Sequence, residues 1–183
     1  MTSDVKSGIS VRQIVFAGIV GALYATLTIA VAPLSYGSIQ FRFAEALCVL
    51  PFFFPVTVPG LFVGCVVANL ISPFGILDIA AGSMATLIAA LLTMYLGRLK
   101  RNTVVVKALA CFPPVIVNAV IIGAVIAWVE TGGGPAFWGG FAINGLQVGL
   151  GQFAVLYVIG LPIMIYLPKS RVFIALAEHL AKN

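Results

Sequence analysis

Six apolar runs follow one another along this chain, at 12–32, 43–54, 58–72, 79–97, 107–129 and 139–167, with only short polar breaks between them. A helix needs about 20 apolar residues to cross the hydrocarbon of a bilayer. In lipid every backbone polar group must be satisfied inside the protein, so runs of this kind form helices. The pattern predicts an all-α integral membrane protein with a single transmembrane domain over 1–183. Charged residues make up 8% of the chain, against about 25% in a soluble domain. Mean hydropathy is +1.17, and no segment is polar enough to form a soluble catalytic domain.

The runs are unequal. The first, RQIVFAGIVGALYATLTIAVA, is a full span that Pro33 ends. The second and third are short and separated by Pro55 and Pro59, which predicts a compact hairpin of two short helices, buried or tilted. The sixth is longer than a crossing requires, so it should tilt or kink, with Pro162 as the kink site. The N-terminus lacks a small-residue cleavage site after its apolar segment and is expected to stay as the first helix.

Charge sets the orientation. With six spans, N-in and C-in, the cytoplasmic side holds Lys6, Arg12, Arg98, Lys100, Arg101, Lys107, Lys169, Arg171 and Lys182, nine of ten basic residues; the other side holds only Arg42. The same topology puts Asp4 and Glu178 in cytoplasmic tails, and Glu45, Asp78 and Glu130 toward the outside. The basic pI of 9.4 therefore reflects loop charge and not nucleic-acid binding.

Polar side chains inside apolar runs are costly and mark sites by default. Gln40, Arg42 and Glu45 lie close together at the start of the second run, and Arg42 and Glu45 share a helix face if the helix has begun there. Arg42 is expected to hold Glu45 and compensate its charge. Asn69, Asp78, Asn118, Asn144 and Gln147 lie in or beside the other spans, and Asn144, Gln147 and Gly151 share a helix face. Each has a plainer reading too: Asn118 as a helix-to-helix bond, Asp78 as an N-cap of the fourth helix, Glu130 as a loop charge in water. Trp128 and Trp138 flank the loop Glu130–Pro135, at a membrane–water interface. Together these groups outline an outer polar site, with the loop after Pro33 and the glycine loop as lids. Tyr36, Phe41, Trp128, Phe137 and Trp138 could stack on a flat ring.

Three carboxylates against one arginine favour a neutral or cationic solute, and amides beside carboxylates suit a purine-like edge. The Gly132–Gly134 run lacks the Lys-Ser/Thr of a phosphate loop, so no element of the chain handles ATP, and any energy must come from an ion gradient or a partner. No metal site or cofactor is expected. Cys48, Cys65 and Cys111 sit singly in apolar runs, and the only histidine is His179. No nucleophile–base pair can be placed in the spans, which argues against an enzyme. On the first helix Ala17, Gly21 and Ala25 form one small-residue row, and Gly18, Ala22 and Thr26 the next. Such rows let helices approach closely, either within the chain or against a partner.

The segments SIQFRFAEALCVLPFFFP, VPGLFVGCVVANL and GILDIAAGSMATLIAALLT resemble the QueT family of substrate-binding S components of energy-coupling factor (ECF) transporters, over about Arg12 to Pro168. That resemblance implies a bundle of six transmembrane helices in the bacterial cytoplasmic membrane. It implies capture of a queuosine precursor, a 7-deazaguanine such as 7-aminomethyl-7-deazaguanine or queuine, from outside. It also implies docking, through Ala17, Gly21 and Ala25, on a transmembrane T component that carries two cytoplasmic ATPases. The substrate contacts expected are Glu45 and Asp78, with amides from Asn118, Asn144 and Gln147. An S component for another flat vitamin and a self-contained proton-coupled carrier are the alternatives.

Overall fold

The computed structural model describes residues 9–37, 39–99 and 103–181. The chain is all-helical, 83% helix, with no strand among the described residues. Helix α1 (Val11–Ala30) opens with a capping box, in which the Ser10 hydroxyl and the Gln13 side chain each accept the other's backbone N–H. It stops at Ala30, and a single turn, α2 (Ala32–Ser35), carries Pro33 at its start.

The second apolar run is a 3-10 segment, Phe43–Phe52, with Pro51 inside it. Its rise of about 2.0 Å per residue carries ten residues roughly 20 Å, where an α-helix would manage about 15 Å. Its period of three aligns Glu45, Cys48 and Pro51 along one edge. Helix α3 (Thr57–Asn69) follows, then a π-helical turn, Asp78–Gly82, that leads into α4 (Ser83–Gly97). Helices α5 (Val104–Ala110) and α6 (Phe112–Thr131) are interrupted only at Cys111, just before Pro113 and Pro114. Helix α7 (Phe137–Val155) passes through a second π turn, Leu156–Gly160, into α8 (Leu161–Tyr166). Pro162 has no N–H for the Val158 carbonyl, and the wide turn before it absorbs the mismatch. A 3-10 turn, Leu167–Lys169, precedes the amphipathic α9 (Arg171–Ala181).

Among the described residues, four helical stretches are long and apolar enough to cross a membrane: Val11–Ala30, Asp78–Gly97, Val104–Thr131 and Phe137–Lys169. Only a third to a half of each is buried in the fold, so half or more of each is left for lipid. The runs expected as the second and third spans are shorter, and they do not form a hairpin packed chiefly on itself. Helix α3 lies along α1, whereas the 3-10 segment packs on α4 and α1 and reaches the α7–α8 junction. Its Ala44, Glu45, Ala46, Cys48, Val49 and Pro51 are all buried.

Close approaches hold the pairs together. A Cβ on Gly60 would come within 2.8 Å of the Ala17 carbonyl carbon, and one on Gly64 within 2.9 Å of Gly21 Cα. The row Ala17, Gly21 and Ala25 is therefore turned to α3 and buried, and the exposed small-residue row of α1 is Gly18, Ala22 and Thr26. Gly123 meets Gly145 in the same manner between α6 and α7.

One end of the bundle gathers basic residues. The Gln13 amide donates to the Leu180 carbonyl at 3.2 Å, Phe173 packs on Phe53 and Phe54, and Lys107 lies 6.0 Å from the Phe53 ring. Arg12, Arg98, Lys107, Lys169 and Arg171 share this end. Asp4, Lys6, Lys100, Arg101 and Lys182 lie outside the described residues.

Candidate functional site

The site starts with Arg42, which is 1% exposed. It precedes the first 3-10 turn, with φ −85° and ψ 89°, so its side chain does not follow the row of Glu45. Its Nη2 donates to Asn69 Oδ1 and lies 3.7 Å from Asp78 Oδ2. The guanidinium is 5.4 Å from the Tyr36 ring centroid. The Tyr36 hydroxyl donates to the Ala68 carbonyl at 2.6 Å, which ties the loop after Pro33 to the end of α3. Burial raises the Tyr36 phenol above its ordinary pKa, and the neighbouring Arg42 charge pulls it the other way.

Asp78 projects from the π turn and does not cap α4. Its Oδ2 accepts from the Ser72 hydroxyl at 2.6 Å, and its backbone carbonyl accepts from Asn69 Nδ2 at 2.8 Å. Gly82 makes room for this pair, since a Cβ there would stand 2.7 Å from Asn69 Nδ2 and 2.8 Å from Asp78 Oδ1. Ion pair, hydroxyl and amide thus join the loop, α3 and the head of α4.

Glu45 is fully buried and is not held by Arg42. Its Oε1 accepts from the Tyr24 hydroxyl at 2.5 Å and its Oε2 from the Cys48 thiol at 3.1 Å. Cys65 lies beside them, 3.6 Å from the Tyr24 hydroxyl and 3.2 Å from the Thr86 hydroxyl. Glu45 is a satisfied carboxylate beneath the site, with both oxygens occupied.

The buried groups without a hydrogen-bond partner are the informative ones. Arg42 Nε and Nη1, Asp78 Oδ1, Ser83 Oγ and both amide atoms of Gln40, Asn118 and Gln152 have none. Buried polar atoms in native proteins are nearly always paired, and each exception calls for an explanation. Here they concentrate in one chain of elements. The Gln40 carbonyl abuts Gly151, where a Cβ would come within 2.7 Å, beside Gln152. Asn118 and Gln152 lie one turn beyond Ile122 and Val148, which pack in one cluster; in antiparallel neighbours that turn leads to the same level.

A polar recess of about 340 Å³ lies between Tyr36, Phe74, Glu130, Asn144 and Gln147. Asn144 Nδ2 donates to Glu130 Oε2 at 2.7 Å, so Glu130 is exposed but engaged. Trp128 and Trp138 do not line it. Trp128 backs the glycine loop, where Gly132 (φ 60°) ends α6 and Gly133 (φ 75°) seats against the indole; Trp138 is 73% exposed. Phe41 lines a separate apolar recess with Leu34 and Val158. Of the candidate stacking rings, Tyr36 is the one against both the recess and Arg42.

The sequence matches the profile of the QueT transporter family over residues 14–169. The chain belongs to the QueT transporter family. That is a family of transporters, and the long apolar helices of this chain fit a multi-pass membrane protein. It is 37% identical over 78 residues to a Lactococcus lactis subsp. cremoris protein named queuosine precursor transporter QueT, an alignment that covers 42% of this chain and 46% of that protein. No solved structure matches the chain.

Within this candidate site, sequence reasoning overlooked Tyr24, Ser72, Ser83 and Gln152. Gln152 was open to detection: it lies eight residues after Asn144, and with Val148 it continues that helix face. Tyr24 lies one turn after Gly21 on the buried side of α1, from which its hydroxyl reaches Glu45. Ser72 becomes legible only with the turn at Gly75 (φ 61°) that folds it back to Asp78.

Proposed function

We propose that this chain is the substrate-binding S component of an ATP-driven ECF uptake transporter, and that it captures a queuosine precursor of the 7-deazaguanine class from outside. Supporting it are the family, the name of the Lactococcus relative, and above all the buried layer of unpartnered amide, guanidinium and carboxylate atoms near a polar recess. A purine-like edge carries donors and acceptors side by side, and such groups can satisfy it. The reading takes 1–183 as one transmembrane domain with N-in, C-in orientation in the bacterial cytoplasmic membrane. The two short helices count with the four long ones to make six. Energy comes from a T component and two cytoplasmic ATPases, and this chain needs no cofactor. The exposed row Gly18, Ala22 and Thr26 is the face of α1 left for the T component.

The test is calorimetric titration of the purified protein with 7-aminomethyl-7-deazaguanine, queuine, guanine, riboflavin and biotin. Saturable binding of a deazaguanine, weakened about tenfold or more in Asp78→Ala, is the expected result. Binding of riboflavin or biotin alone would assign the site to another flat vitamin. Uptake into vesicles lacking any ATPase would make the chain a self-contained carrier.

A further inference from the structure

Ligand recognition here divides between two kinds of group. On the function proposed above, we infer that the carboxamides of Gln40, Asn118 and Gln152 read the donor–acceptor edge of a neutral ring, while Asp78 Oδ1 reads a separate basic amine.

The inference begins with what each group has left to offer. Glu45 already has a donor on each oxygen, Tyr24 and Cys48, so neither oxygen is left without a partner. Asp78 has one oxygen held by Ser72 and facing Arg42, and one without a partner. A guanine-like edge presents two neighbouring N–H groups, and a carboxylate reads such an edge with both oxygens. Asp78 can spare one, which suits a single N–H donor such as an ammonium.

The three amides have the complementary property. Gln40 and Gln152 are 1% exposed, Asn118 is 0% exposed, and in all three both the carbonyl and the NH2 lack partners. A carboxamide offers a donor and an acceptor a short distance apart, which is the match for a lactam or amino-pyrimidine edge, and it carries no charge that such a ring would have to balance. Helices α6 and α7 hold Asn118 and Gln152 at one level, and the Gly151 contact brings the Gln40 backbone alongside.

Charge points the same way. Glu45 and Asp78 are two buried acids and Arg42 is the one buried base among them. A buried polar oxygen needs a partner, and an ammonium arriving at Asp78 gives the unpartnered Oδ1 one. This division of roles matches the proposed class of ligand, a neutral lactam-bearing ring with a basic amine on an arm.

Two ligands that differ only in the arm test the division: 7-aminomethyl-7-deazaguanine and 7-deazaguanine, titrated into the full chain in nanodiscs. Asp78→Asn should weaken the first about tenfold or more and the second less than about threefold. Gln152→Leu and Gln40→Leu should weaken both ligands alike, by about tenfold or more. The ligand-free melting temperature separates binding from folding: a leucine in place of an unpartnered buried amide should hold or raise it. Three results would overturn the division. They are an equal loss of both ligands in Asp78→Asn, full binding by both glutamine variants, or a lower melting temperature alongside lost binding. A wild-type protein that binds neither deazaguanine would instead overturn the functional reading beneath it.

Discussion

Substituting Gly60 with alanine asks whether the buried small-residue row of α1 serves the fold. A Cβ at Gly60 would lie 2.8 Å from the Ala17 carbonyl carbon and 3.1 Å from Ala17 Cα, and nearer still to the carbonyl oxygen. All these atoms are backbone, so no side chain can swing aside. Ordinary contact begins near 3.4 Å, so the helices must part by at least about 0.6 Å. A gap of that size forfeits a quarter to a half of the dispersion well for each atom pair across the interface. In lipid no hydrophobic gain between the helices offsets that loss. Overpacking of this kind costs about 1–3 kcal/mol, or about 2–12 °C in melting temperature for a chain of this size. Gly64→Ala, with its Cβ 2.9 Å from both Gly21 C and Cα, should behave alike. Gly18→Ala is the control: nothing lies within 4 Å, and the helix gains about 0.5–1 kcal/mol. Thermal unfolding in detergent, followed by size-exclusion fluorescence, reads all three. If Gly60→Ala melted with Gly18→Ala, the claim that α1 and α3 meet backbone to backbone would be wrong.

Two further predictions concern the site and its support. Gly82→Ala pushes a Cβ to 2.7 Å from Asn69 Nδ2 and 2.8 Å from Asp78 Oδ1; deazaguanine affinity, read by titration calorimetry, should fall about tenfold or more while the protein stays folded. Tyr24→Phe removes one of the two donors to Glu45 and should lower stability by about 1–3 kcal/mol. Combined with Glu45→Gln in a double-mutant cycle, it should cost less than the sum of the single losses; strict additivity would mean that the 2.5 Å contact contributes nothing.

Legibility in the sequence varied with the physics behind each feature. The long spans were visible because hydrocarbon thickness fixes a residue count, and no other structure meets that constraint for runs such as 79–97. The form of 43–52 was not visible, since hydropathy does not distinguish a rise of about 1.5 Å from one of about 2.0 Å per residue. That difference carried a wrong pairing with it. The three-residue spacing of Arg42 and Glu45 promised a salt bridge, but Arg42 stands ahead of the helix and turns to Asn69 and Asp78. The polar residues themselves stood out, because an amide or carboxylate in an apolar run is conspicuous. Their partners did not: Tyr24 lies 21 residues from Glu45, and Arg42 lies 36 from Asp78, so their meeting depends on the packing of α1, α3 and α4. The row Ala17, Gly21 and Ala25 announced a close approach without naming the other side, which Gly60 and Gly64 supply four residues apart on α3.

Helix α3 shows how these constraints coincide. One side presents Gly60 and Gly64 to α1, and the other end carries Cys65 and Asn69 into the polar layer. Asn69 is fully engaged: its oxygen receives Arg42, and its NH2 reaches the Asp78 carbonyl and the Cys65 sulfur. It can therefore fix the direction of Arg42 while leaving that guanidinium's Nε and Nη1 free. Any displacement of α3 against α1 moves Asn69, and with it the Arg42–Asp78 pair. The glycines of the α1–α3 contact do not line the recess, yet the geometry makes them a condition for where Arg42 and Asp78 point.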